Sequence, residues 1–200
     1  MHGLRRRLHG EEGDFVMEVI NGILPQEDGI QFFSLWIPLL TYVNDKKNIF
    51  KKNGKEQPVI QLGTKKSLEL TNALWDDPDI IDRYLATKSL DEISEEDREI
   101  MLGWKRFVRG KFILARVLTS GGIFMSDKTY LVRGITTPID EIVGSPVPML
   151  VSATLIPFKG VIITDGMIAE HPIGFGDGMK RALKDLYNQA KEKGEIITSI

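Results

Sequence analysis

Hydrophobic positions in the first half of the chain recur with a helical period, and in the second half with the period of strands. From Asp14 to Leu24, Phe15, Val16, Val19, Ile20, Ile23 and Leu24 fall on one side of a helix that must stop before Pro25. The next segment, Ile30 to Val43, sets Phe32, Phe33, Leu35, Trp36, Ile37, Leu39, Leu40 and Val43 nearly all the way around, so it predicts an enclosed helix that Pro38 kinks or splits. Seven lysines between Lys46 and Lys66 surround Asn53-Gly54, a solvated excursion or short hairpin. Leu68 to Trp75 resumes helical spacing. Asp77-Pro78 offers an N-cap and a first-position proline for a short helix over Ile80 to Leu85. Ser94-Glu95-Glu96-Asp97 opens another helix with Ile100, Trp104 and Phe107 or Val108 as its stripe, and Arg109-Gly110 reads as its basic end and C-cap.

Beyond Gly110 the pattern changes. Lys111 to Leu118, Ile123 to Ser126 and Thr129 to Ile135 alternate as strands, separated by Ser120-Gly121-Gly122 and Asp127-Lys128. Pro138 to Gly144 reads as a helical turn or loop. Met149 to Phe158 pairs through Lys159-Gly160 with Val161 to Thr164, and Met167 to Glu170 adds a further strand. A final helix over 178–193 places Met179, Leu183, Leu186, Tyr187 and Ala190 on one face before Gly194 ends it. The fold class expected is α+β. An N-terminal helical lobe (1–110, with the Lys-rich loop at 46–66) packs on a β-rich lobe (111–200), an antiparallel meander or partial barrel followed by the terminal helix, the two forming one compact unit. No internal repeat is present.

Two hundred residues with 42% hydrophobic content can bury a full core. The longest apolar stretch is too short, and too often interrupted by polar residues, to span a bilayer, so no membrane partner is expected. Arg5-Arg6-Arg7 is followed by Gly10-Glu11-Glu12-Gly13-Asp14 where a secretion signal needs an apolar core. The absence of cysteine excludes disulfides and Cys-rich zinc sites and fits a reducing cytoplasm. No metal or cofactor is called for. The net charge of -2 excludes a globally basic nucleic-acid binder. Its distribution is uneven: residues 1–102 carry 13 cations against 19 acids, net -6, and residues 103–200 carry 13 against 9, net +4.

Three constellations carry candidate chemistry. Trp104, Lys105, Arg106, Arg109, Lys111 and Arg116 lie in a stretch without acids and interleave with aromatics, which suits a phosphate backbone with stacked bases; a solvated helix end explains the same residues. Gly174, Gly176 and Gly178 run into a helix whose first turn contains Lys180 and Arg181, an arrangement able to hold a phosphate or other anion. It lacks P-loop spacing, and the same residues make a tight turn capped by Asp177. Asp165 and His171 are the catalytic candidates, on proximity in sequence alone, since no nucleophile elbow, His-Glu-x-x-His or triad order occurs.

The run Leu155-Ile156-Pro157-Phe158-Lys159-Gly160-Val161-Ile162-Ile163-Thr164-Asp165-Gly166, followed by Gly174-Phe175-Gly176-Asp177-Gly178, resembles the LLPFKGxIIYDG and GFGxG signature of an uncharacterised bacterial protein family. Some of its members are fused to a SEC-C metal-binding motif. The likeness extends through the helix around Tyr187 to Ile196-Ile197, and upstream to Trp36-Ile37-Pro38 and the Trp104 to Lys111 junction. Thr164 stands where the family has tyrosine, and without cysteine this chain has no SEC-C site. The resemblance implies that the sheet, the Asp165 turn and the glycine loop form one unit; it implies no activity. The expectation is a non-catalytic binding or accessory module with an unknown protein or nucleic-acid partner. The alternatives are a nucleic-acid contact through 104–116 and a phosphate-ligand or nucleotide binder, or an enzyme, using 165–181.

Overall fold

The computed structural model describes residues 22–52, 55–56 and 64–200. The helix expected from Asp14 lies outside them except for its last three residues. These are not helical: Gly22 turns at a φ of 67°, Ile23 bridges Gly134, Leu24 N–H donates to the Gly134 carbonyl and Gly134 N–H to that of Gly22.

The helical lobe begins with α1 (Gln26–Lys47), α2 (Thr64–Trp75), α3 (Ile80–Leu85) and α4 (Glu95–Gly103). Between α1 and α2, β1 (Lys51–Lys52) and β2 (Lys55–Glu56) pair antiparallel, the hairpin of the two alternatives that the sequence left open. Pro38 does not split α1, which runs 22 residues and buries Phe32, Leu35, Trp36, Leu39, Leu40 and Val43. Asp77 does not cap α3. Its carboxylate is taken by Lys47 at 2.5 Å and Arg83 at 2.7 Å, which hold it below the usual carboxylate range. Ser94 does cap α4, accepting from Asp97 N–H at 3.1 Å.

The expected end of α4 at Arg109-Gly110 is corrected by the structure. The helix stops at Gly103, a 3-10 turn covers Trp104–Arg106, and Phe107 swings into extended backbone. Arg109 and Gly110 belong instead to β3 (Val108–Leu118), which pairs with β6 (Met149–Phe158) from Val108↔Leu155 to Leu114↔Met149. Ending the helix early lets Trp104 enter the core completely. The basic residues simply continue onto a strand.

The remaining elements are β4 (Gly121–Met125), β5 (Thr129–Val132), α5 (Ile139–Ile142), β7 (Val161–His171), α6 (Asp177–Glu192) and β8 (Ile196–Ile197). They form a six-stranded mixed sheet in the order β7-β6-β3-β4-β5-β8, antiparallel except for β5 against β8. β3, β4 and β5 form the expected antiparallel meander, but β6 does not extend it beyond β5 and joins β3 on its other side. The sheet is not closed into a barrel, although an isolated bridge, Arg133↔Ile163, ties the end of β5 to β7. One continuous strand replaces the two expected over 161–170, because Asp165, Gly166 and Met167 bulge opposite Thr154 and pairing then resumes.

Alternation along the strands sends side chains to two faces. One face buries Phe112, Leu114, Val151, Ala153 and Leu155 against β4, β5 and α5. The other is covered at both ends. The helical lobe packs on Ile156, Phe158 and Ile163, and α6 lays Leu183 and Tyr187 on Ala115, Ile123 and Met125. The middle of that face stays uncovered.

Candidate anion-binding groove

The uncovered strip has three strands as its floor. Pairing puts Lys111, Ser152 and Ala169 in one row, with Leu150 opposite His171 one step along. Since paired residues in a sheet share a face, Arg109, Lys111, Ser152, Met167, Ala169 and His171 all point into the strip between α2 and α6. Two cavities occupy it. One of about 390 Å³ lies toward α2, lined by Thr71, Asn72, Arg109, Lys111, Ser152 and Asp165 among others. The second, of about 460 Å³, lies toward α6 and includes Pro148, Glu170, His171, Gly174, Phe175 and Lys180. Ser152 lines the first and His171 the second, and the contact of 2.7 Å between Ser152 Oγ and His171 Nε2 separates the two cavities, which share no lining residue.

Asp165 closes the α2 end. The bulge turns its carboxylate toward the helical lobe, where Oδ2 accepts from Trp75 Nε1–H at 2.7 Å and Oδ1 from Met167 N–H at 3.0 Å. Burial pushes this carboxyl up to about 6, against the opposing pull of the Trp75 and Met167 hydrogen bonds and the Arg109 charge. With both oxygens engaged and 4% of its surface exposed, Asp165 supports the wall of the cavity. Arg109 is held beside it by Asp76 at 2.6 Å and Asn72 at 2.7 Å. Glu170, at the other end, is bound by Gly144 N–H at 2.6 Å and Ser145 Oγ at 2.9 Å. Lys111 and Lys180, by contrast, meet no carboxylate among the described residues. The groove therefore offers two open ammonium groups on either side of an imidazole.

The structure brings some of the candidate residues together and separates others. His171, Gly174 and Lys180 share the α6-side cavity, whereas Asp165 lines the other. Gly176 is the N-cap of α6, and Asp177, its first residue, makes no side-chain cap bond. Gly176, Gly178 and Arg181 are exposed and line neither cavity.

The 104–116 strip does not form one basic and aromatic surface. Trp104 is fully buried and cannot stack on a base. Lys105 is engaged by Asp79 at 3.0 Å and by Asp82, Arg109 by Asp76, and Arg116 lies over the Tyr187 ring at 5.0 Å. Arg106 sits at a different depression, with Gly103, Pro157 and Gly160. Only Lys111 reaches the groove with its charge open.

Ser152 and Trp75 carry roles that the sequence did not disclose. Ser152 meets His171 through cross-strand pairing over 19 residues and Trp75 meets Asp165 over 90, and neither spacing belongs to a local motif. Among the described residues no group of three His, Asp or Glu is placed to hold a metal ion, and no helix is long and apolar enough to cross a membrane. No protein family, curated protein or solved structure matches the chain.

Proposed function

We propose that this chain is a binding module for a small anionic ligand, seated in the groove between α2 and α6. The observation that carries the reading is the pair of open cations, Lys111 and Lys180, one in each of the two cavities, whose carboxylates and Arg109 are already engaged. A ligand with a phosphate or carboxylate at each end would place one at each ammonium, and His171 and Ser152 add hydrogen-bonding groups between them. The cavities are of the size that small ligands fill. The resemblance of the 155–178 region to a bacterial family agrees in location, since those residues build β6, β7 and the start of α6. It contributes no activity.

A thermal-shift and calorimetric screen with inorganic phosphate, nucleotides, sugar phosphates and dicarboxylates tests this. A true ligand at a hundred times its Kd adds about 2.7 kcal/mol of stability. Lys180→Ala and Lys111→Ala are each expected to weaken binding by roughly tenfold, about 1.4 kcal/mol, while Arg181→Ala leaves it unchanged. Equal binding in all three variants rules the groove out.

A further inference from the structure

The groove contains a pair of groups that anion binding alone does not need. Ser152 and His171 come from neighbouring strands, one diagonal step apart, and both are half-buried rather than sealed. Diagonal cross-strand neighbours are too far apart for short side chains, and an imidazole is long enough to bridge the gap. The result is an Oγ···Nε2 contact of 2.7 Å open to a cavity. In the same row, Lys111 flanks Ser152 on β3 and Ala169 flanks it on β7. Alanine leaves the space beside Oγ vacant, and Lys111 brings an ammonium free of carboxylates to the other side.

We propose that Ser152 is an acyl-accepting nucleophile, with His171 as its base and Lys111 as the cation that receives the developing oxyanion. The substrate class is an ester or thioester of a small carboxylic acid. In the first step Oγ bonds to the acyl carbon and its proton passes to Nε2 of a His171 protonated on Nδ1. The carbonyl π electrons move onto oxygen, facing the Lys111 ammonium. Collapse of the adduct breaks the bond to the alkoxide or thiolate, which leaves with the proton from Nε2. Water then gives a proton to Nε2 as its oxygen attacks the acyl group, and the carboxylic acid departs while Oγ recovers its hydrogen. A second negative charge on the substrate would be held by Lys180, a role that alone rests on the proposed anion binding.

A serine and histidine tied across two strands for structural reasons would show the same distance, and reactivity separates the two. The full chain is treated at pH 8 with a fluorophosphonate probe and the adduct is mapped by peptide mass spectrometry, alongside hydrolysis of p-nitrophenyl acetate. The expected adduct is on Ser152. It disappears with hydrolysis in Ser152→Ala and forms roughly 100-fold more slowly in His171→Ala, the scale of a lost general base. Ser152→Cys provides a readout independent of turnover: iodoacetamide should alkylate it at least about tenfold faster than the Ser152→Cys, His171→Ala double variant. Absence of a Ser152 adduct, hydrolysis that survives Ser152→Ala, or equal alkylation with and without His171 overturns the proposal. The anion reading fails separately. If phosphate does not bind and Lys180→Ala leaves the KM for p-nitrophenyl hydrogen succinate unchanged while Ser152 still labels, the nucleophile stands without it.

Discussion

At Asp165 a carboxylate is buried at the seam between the two lobes, held by an indole N–H from α2 and a backbone N–H of its own bulge. Because burial raises its folded value to about 6 from 3.8, the folded chain binds more protons than the unfolded chain between those limits. Stability from this group is therefore present at low pH and is lost as pH rises from about 4 through 6, by on the order of 2–3 kcal/mol. Urea titrations at intervals from pH 4 to 7 should show this falling component in the native chain and not in Asp165→Asn. A difference curve flat with pH would contradict the burial argument. Asp165 was visible in the sequence as the residue after an apolar run, but its environment was not. The partner that buries it, Trp75, lies 90 positions away.

The elements differ in how much of them could be read in advance. Helix α6 follows from its stripe and from Gly194, whose positive φ of 66° ends it. The stripe could not say which of its members the sheet covers. Leu183 is 5% exposed and Leu186 51% exposed, so Leu183→Ala should cost about 2–4 kcal/mol and Leu186→Ala close to nothing, as measured by chemical denaturation. The end of α4 is not legible locally, because Arg109-Gly110 satisfies the local rules for a helix terminus while pairing with β6 and burial of Trp104 are long-range effects. The β7 bulge was likewise hidden. It depends on Gly166 at a φ of 85°, and a methyl there would meet only Ile135 Cδ1 at 3.9 Å. Gly166→Ala should thus lower stability by about 1–2 kcal/mol through backbone strain rather than collision. A urea midpoint equal to the native one would refute it.

For the whole molecule, the opposite signs of the two halves find a use that the sequence did not suggest. Cations of the second half reach acids of the first: Lys105 to Asp79 and Asp82, Arg109 to Asp76, and Lys159 to the buried Asp28 at 2.8 Å. Charge asymmetry here serves docking of the lobes. Lys159→Ala strands a carboxylate that is 5% exposed and should cost on the order of 1–3 kcal/mol, whereas Lys105→Ala, at the solvated rim, should leave stability nearly unchanged. Anisotropy with a labelled single-stranded oligonucleotide at low salt should show no loss of affinity in Lys105→Ala, because that charge is engaged within the chain.

The same seam gathers every tryptophan of the chain. Trp36 stacks on Trp75 with ring centroids 5.7 Å apart and meets Trp104 edge-on at 5.5 Å, and Trp75 alone touches Asp165. Rings this close share their excited states, so near-ultraviolet circular dichroism and intrinsic emission report on a single place. The chain thereby carries its own optical gauge of how the helical lobe is packed, with no label attached.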